Sequence, residues 1–233
     1  MNYVPEFVAL YEIFLYIEYL PLNDKSIRVA VKDYLEGGEK KDAIIKKYGK
    51  IEDWNTKEVT DMSKLFYGYF EFNEDISKWN TSNVRNMYGV FWCSENFNHP
   101  IGKWDTSNVT NMSYMFHDAK NFNQPIGNWD TSKVTHMATM FCNAENFNQS
   151  IGEWNTSSVI SMLSMFCGTR AFRQHKYIAK WNVSNLKIKS GIFFNAPLYS
   201  FESKYWLLPK RKCFDNSLMI CYSNPSLAPW YHE

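Results

Sequence analysis

No apolar run in this chain reaches the roughly 18–20 residues that a membrane-spanning helix needs. No surplus of either charge is present, since 25 Lys and Arg stand against 24 Asp and Glu. The balance is also local: residues 1–50 hold eight basic and eight acidic side chains, and residues 51–194 hold thirteen of each. Binding to nucleic acid or to an anionic membrane through bulk charge needs a basic excess, so neither partner is expected, and no membrane insertion. Paired cysteines are missing too. Cys93, Cys142, Cys167, Cys213 and Cys221 form an odd, scattered set with no CxxC, which argues against a disulfide framework. There is no phosphate-cradling glycine loop, no HExxH and no GxSxG, and the five histidines are dispersed. Neither a catalytic residue nor a cofactor is expected. The first 24 residues lack Lys and Arg but contain Glu6, Glu12, Glu18 and Asp24. A secretion signal has a basic start, so this stretch is read as a folded amphipathic helix and the protein as intracellular.

What the chain has in plenty is aromatic side chains, 18% of all residues. They are periodic. Trp54, Trp79, Trp104, Trp129 and Trp154 recur every 25 residues, and Trp181 follows after 27. Val59, Met62 and Phe66 stand at fixed distances after the first of them. So do Val84, Met87 and Phe91, then Val109, Met112 and Phe116, and so on to Phe166. Phe-Asn pairs at 72–73, 97–98, 122–123 and 147–148, with Ile76, Ile101, Ile126 and Ile151, close the units. Such a register marks a stack of like units sharing one continuous core, because a single unit buries too little alone.

The spacing predicts a form for the unit. Val, Met, the apolar residue before Phe, Phe itself and often Ala fall at relative positions 0, 3, 6, 7 and 10, one face of a short helix. Asp105, Asp130 or the equivalent Asn supplies an N-cap type. The stretch from Phe-Asn to Trp suits a short strand. The fold class expected is therefore a repeat solenoid, leucine-rich-repeat-like, with a short strand plus a short helix per 25-residue rung and a helical N-terminal cap. Residues 1–50 break the period and read as that cap. Six repeats fill 51–194, and the aromatic-rich 195–233 reads as a C-terminal cap.

The unit WDTSNVTNMSYMFHDAKNFNQPIGNW resembles the repeat of BspA-like surface proteins, and the segment before the first repeat resembles the one that often precedes it in that family. The resemblance covers about residues 22–194. It implies a stacked repeat array with a role in adhesion or protein interaction.

The expected function is a non-catalytic protein-interaction scaffold using the exposed faces of the array. Specificity in such an array must come from exposed columns that vary between rungs. Tyr67, Tyr88, Trp92, Tyr114, His117 and His136 are the candidates for partner binding, since interfaces favour aromatic residues. By helical spacing the column after the repeat Phe, which reads Tyr67, Trp92, His117, Cys142 and Cys167, should point outward. A metal at His117, Cys142 and Cys167 is disfavoured, because three ligands in a line suit tetrahedral coordination poorly. An alternative face lies around Lys103, Gln124 and Glu153. Two alternative functions stay open. One is an adaptor, since the stretch from Pro5 to Tyr19 resembles an F-box. The other is a secreted or surface adhesin.

Overall fold

The structure, a computed structural model, describes residues 19–197. The F-box-like stretch, apart from Tyr19, and the expected C-terminal cap beyond residue 197 lie outside the described residues. Two helices come first, α1 (Ser26–Glu36) and α2 (Gly38–Tyr48), followed by a 3-10 turn at Ile51–Asp53; a one-turn helix α3 (His175–Ile178) comes late in the array.

Helix α1 starts where its sequence can satisfy free backbone donors. Asn23 Oδ1 accepts from the N–H of Lys25 and of Ser26, both at 3.0 Å, and Ser26 Oγ accepts from the N–H of Asn23 at 2.9 Å. This reciprocal arrangement is how a polar side chain caps a helix start. Gly37, at φ +84°, breaks the chain between α1 and α2. The buried face of α1 is Ile27, Ala30, Val31 and Tyr34. Tyr34 meets Trp54 of the first repeat edge-on, with ring centroids 5.7 Å apart.

The repeats stack as expected from their period, but each is not a strand plus a helix. Among the described residues there is no extended strand, and no helix lies between Asp53 and His175. The expected strand-plus-helix solenoid is corrected to a pile of turn-built rungs. Neighbouring rungs touch through single parallel bridges, Asp61 to Asn86, Asn86 to Asn111, Asn111 to His136, His136 to Ser161 and Ser161 to Ile188. These bridges sit just before the repeat Met, where the helix was expected, and not along the Phe-Asn to Trp stretch.

The backbone shows why the helical reading fails. From each Met onward, N–H groups alternate between two partners. Met112, Tyr114 and Phe116 donate to the next rung, at the carbonyls of His136, Ala138 and Met140, each at 2.9 Å. Met115 and His117, between and after them, donate three residues back, to Met112 and Tyr114. Successive turns of this kind repeat every three to four residues and so produce the apolar spacing of a helix. They need left-handed residues, and these recur in two columns: Lys64, Gly89, Tyr114, Thr139, Ser164 and Gly191, then Gly68, Cys93, Asp118, Asn143, Gly168 and Asn195. A left-handed residue every four positions ends any helix.

The core is a set of ring ladders. Phe66, Phe91, Phe116, Phe141 and Phe166 stack at 5.6 Å from one rung to the next. A second column, Phe72, Phe97, Phe122, Phe147 and Phe172, runs beside it, with Phe116 and Phe122 only 3.8 Å apart. Polar atoms bind rung to rung as well. Thr81 Oγ1 donates to the Asp105 carbonyl at 2.9 Å, and Thr106 Oγ1 to that of Asp130 at 3.0 Å. The Asp and Asn after each Trp close Asx turns instead of capping a helix, as when Asp105 Oδ1 accepts from Ser107 N–H at 3.0 Å. The Asn after each Phe also serves the stack, since Asn98 Oδ1 accepts from Asn123 N–H at 2.9 Å.

Candidate functional site

The six residues singled out for binding divide by depth. Tyr67, Tyr88 and Tyr114 are half-buried and His136 is exposed, whereas Trp92 is only 7% exposed and His117 only 2%. The outward pointing expected of the column after the repeat Phe is therefore corrected. Turns set the direction of these side chains, and helical geometry does not apply. Cys142 and Cys167 of the same column are buried as well.

Four of the aromatics nevertheless form one contiguous group. Trp92 lies 4.8 Å from Tyr67 and 5.0 Å from Tyr114, and Tyr88 lies 5.3 Å from Tyr114, all tilted. Lys64 Nζ stands 5.8 Å from the ring centres of Tyr67, Tyr88 and Trp92, within cation–π range of all three. Burial, with the neighbouring phenols of Tyr114 and Tyr67, pushes the Tyr88 hydroxyl up to about 12. The indole N–H of Trp92 is buried without a hydrogen-bond partner. Sequence reasoning found the rings but missed Lys64. The clue was available in that Lys64 shares its column with Gly89 and Gly191, glycines that mark a left-handed turn.

His117 continues the group inward, 5.5 Å from Trp92 and 5.7 Å from Tyr114. Its Nδ1 is 3.1 Å from the Cys142 carbonyl and its Nε2 is 3.2 Å from Asp118 Oδ2. Burial lowers the pKa of this imidazole, while the Asp118 carboxylate and the Cys142 carbonyl oppose that shift. Asp118 also accepts from Asn143 Nδ2 at 2.9 Å and faces Cys93 Sγ at 3.9 Å. Burial first, then the charges of Asp118 and Glu95, raises the Cys93 thiol to about 12. His136 occupies the bridge column instead, with its Nδ1 2.8 Å from Thr135 Oγ1.

This arrangement can present rings and a cation to another molecule, while Asp118 holds His117 and Asn143 behind them. Among the described residues no group of His, Cys, Asp and Glu is placed to hold a metal ion, and no helix is long and apolar enough to cross a membrane. A family described as Mycoplasma protein of unknown function, DUF285, matches twice, over residues 40–137 and 121–223. The chain belongs to this family. Two overlapping matches are what a repeated unit produces, and together they take in the array and most of α2. No curated protein and no solved structure matches the chain.

Proposed function

We propose that this member of the DUF285 family is a non-catalytic scaffold that holds a protein partner against the face carrying Tyr67, Tyr88 and Tyr114. The observation behind this reading is the contiguous row of half-buried phenols around Trp92 and Lys64. The repeat columns of the core are occupied by stacking, so a row of rings that breaks the repeat grammar has no counterpart in the other rungs. At the position of Tyr88 the next two rungs carry Ser113 and Ala138, and at the position of Tyr114 they carry Thr139 and Ser164. Large aromatics with accessible edges are the residue types that dominate binding energy at interfaces, and clustered apolar surface marks interaction sites. The likeness of the unit to BspA-like surface repeats supports an interaction role and leaves the partner's identity to experiment.

The test is quantitative affinity capture from the source cell with the wild-type chain and with the Tyr88→Ser/Tyr114→Ser variant. The reading requires a protein retained by wild type and lost by the variant, while the variant still melts cooperatively. Equal capture by the two removes the aromatic face from consideration and turns attention to the side with Lys103, Gln124 and Glu153.

A further inference from the structure

Cys142 and Cys167 occupy the same place in successive rungs, 25 residues apart. The chain around them is in parallel register: Thr139, Phe141 and Asn143 donate to the carbonyls of Leu163, Met165 and Cys167 at 2.7, 2.9 and 2.7 Å. Strand-like neighbours in such a register lie about 4.7–4.9 Å apart. A disulfide spans Cα atoms about 4.4–6.8 Å apart. The two thiols are neighbours across this pair of rungs, and hydrogen bonding between them raises the Cys142 pKa and lowers that of Cys167. Cys93 lies in the neighbouring column and faces Asp118 instead.

We propose that Cys142 and Cys167 form a reversible thiol–disulfide site, oxidised by a small-molecule disulfide, which ties two neighbouring rungs together. The roles of the two sulfurs differ. Cys167 is the more exposed of the pair, at 8% against 1%. The hydrogen bond from Cys142 also favours the Cys167 thiolate, against burial and the charge of Asp118. The Cys142 thiol is pushed well up, first by that hydrogen bond and then by burial. Cys167 therefore attacks. Its thiolate bonds to one sulfur of the external disulfide, the S–S bond breaks, and the other half leaves as a thiolate. Cys142 gives its proton to that leaving thiolate or to water and attacks the sulfur of Cys167, which expels the second half as a thiolate. Two protein thiols are oxidised to one disulfide, and one external disulfide is reduced to two thiols. A reducing thiol reverses the same two exchange steps and reopens the bridge.

The experiment uses the full chain carrying Cys93→Ala, Cys213→Ala and Cys221→Ala, so that only this pair is left. The folded protein is incubated with oxidised glutathione, quenched in acid, unfolded, alkylated and weighed by mass spectrometry. The expected product has lost two hydrogens, carries neither alkyl group nor glutathione, and returns to two alkylated cysteines after dithiothreitol. Peptide mapping of the oxidised wild-type chain should give the same 142–167 link. Adding Cys142→Ala should halt the reaction at a glutathione adduct on Cys167. Full alkylation of both cysteines after oxidation, adducts on both without a link, or a linked dimer would each overturn the proposal.

Discussion

The indole N–H of Trp104 donates to the backbone carbonyl of Ile76, one rung back, at 3.1 Å. Trp79, Trp129, Trp154 and Trp181 repeat the same bond to Ile51, Ile101, Ile126 and Ile151. This explains why the column is Trp and not another large apolar residue: no Phe or Leu offers a donor there. The Ile76 carbonyl also accepts from Trp79 N–H at 3.2 Å, so losing the indole leaves it one partner. Trp104→Phe then costs about 0.5–1.5 kcal/mol for the bond, and the void left by the second ring adds to it. Urea denaturation should show a loss of at least about 1 kcal/mol, and an unchanged midpoint would mean that the ladder bond does not contribute.

Phe116 lies midway in the ring ladder, fully buried between Phe91 and Phe141 and against Phe122. Neighbouring rungs cannot close over the gap without shortening a ladder that is in register elsewhere. Phe116→Ala should cost about 3–5 kcal/mol. A melting temperature within a degree or so of wild type would be incompatible with this placement.

Asp24 joins the helical segment to the first rung. Its carboxylate accepts from Thr60 N–H at 2.6 Å, Thr60 Oγ1 at 2.7 Å and Asp61 N–H at 3.0 Å. Partial burial raises its pKa, but these bonds and the Arg28 charge together bring it below its ordinary value. A carboxyl whose folded pKa is depressed contributes stability that is present above its unfolded pKa and is lost as pH falls through the folded one. Asp24→Asn should be less stable than wild type at neutral pH, with the gap narrowing under acid. Thermal melts of both proteins from neutral to about pH 2 would show it, and a gap constant with pH would count against the ionic role.

Tyr88 predicts the opposite pH behaviour. Its phenol is raised to about 12. Its contribution is therefore fully present below the unfolded phenol pKa of about 10 and is lost as pH rises through the folded value. Tyr88→Phe should resist alkaline unfolding better than wild type, and the difference between the two absorbance titrations should contain one late-ionising phenol. If the difference shows an ordinary phenol, Tyr88 is more open to water than the ring contacts indicate.

How far the sequence was legible depends on what each residue's periodicity reported. The Trp and Phe columns report burial, which depends on stacking alone, so the 25-residue rungs and their core residues could be read directly. Local geometry was not so readable. Met112, Met115, Phe116 and Ala119 have helical spacing, yet turns bonded three residues back give nearly the same spacing. The difference lies in the residues between them, where Tyr114 and Asp118 are left-handed. Neither residue type announces that conformation, although Gly89, Gly68 and Asn143 in the same columns do so weakly. The same error turned Trp92 and His117 outward. The contiguity of Tyr67, Tyr88 and Tyr114 was readable from their adjacent rungs. The attachment of Asp118 to His117 was not, because it depends on the left-handed turn at Asp118.

Those left-handed columns can be tested by exchanging glycine for another residue in both directions. At Gly89, φ is +59°, and an added Cβ would meet Trp92 Cε3 at 3.5 Å and Lys64 Cγ and Trp92 Cβ at 3.6 Å, ordinary contact distances. Space is therefore no obstacle to Gly89→Ala, and the backbone alone decides the outcome. A left-handed non-glycine residue costs about 1–2 kcal/mol, from which the lower entropy of the unfolded chain recovers about 0.5–1 kcal/mol. The variant should lose about 0.5–1 kcal/mol. Ser164, at φ +51° in the same column, should respond with the opposite sign. Ser164→Gly removes the strain and gains stability by a similar amount, less whatever its half-buried side chain contributes. Both are measured by urea denaturation at constant m-value, since the turn is local and the buried surface hardly changes. Opposite signs at the two positions would follow from left-handed turns alone. A helix through the same residues would make Gly89→Ala stabilising, because alanine is favoured over glycine inside a helix, and that result would restore the reading that the turn bonds contradict.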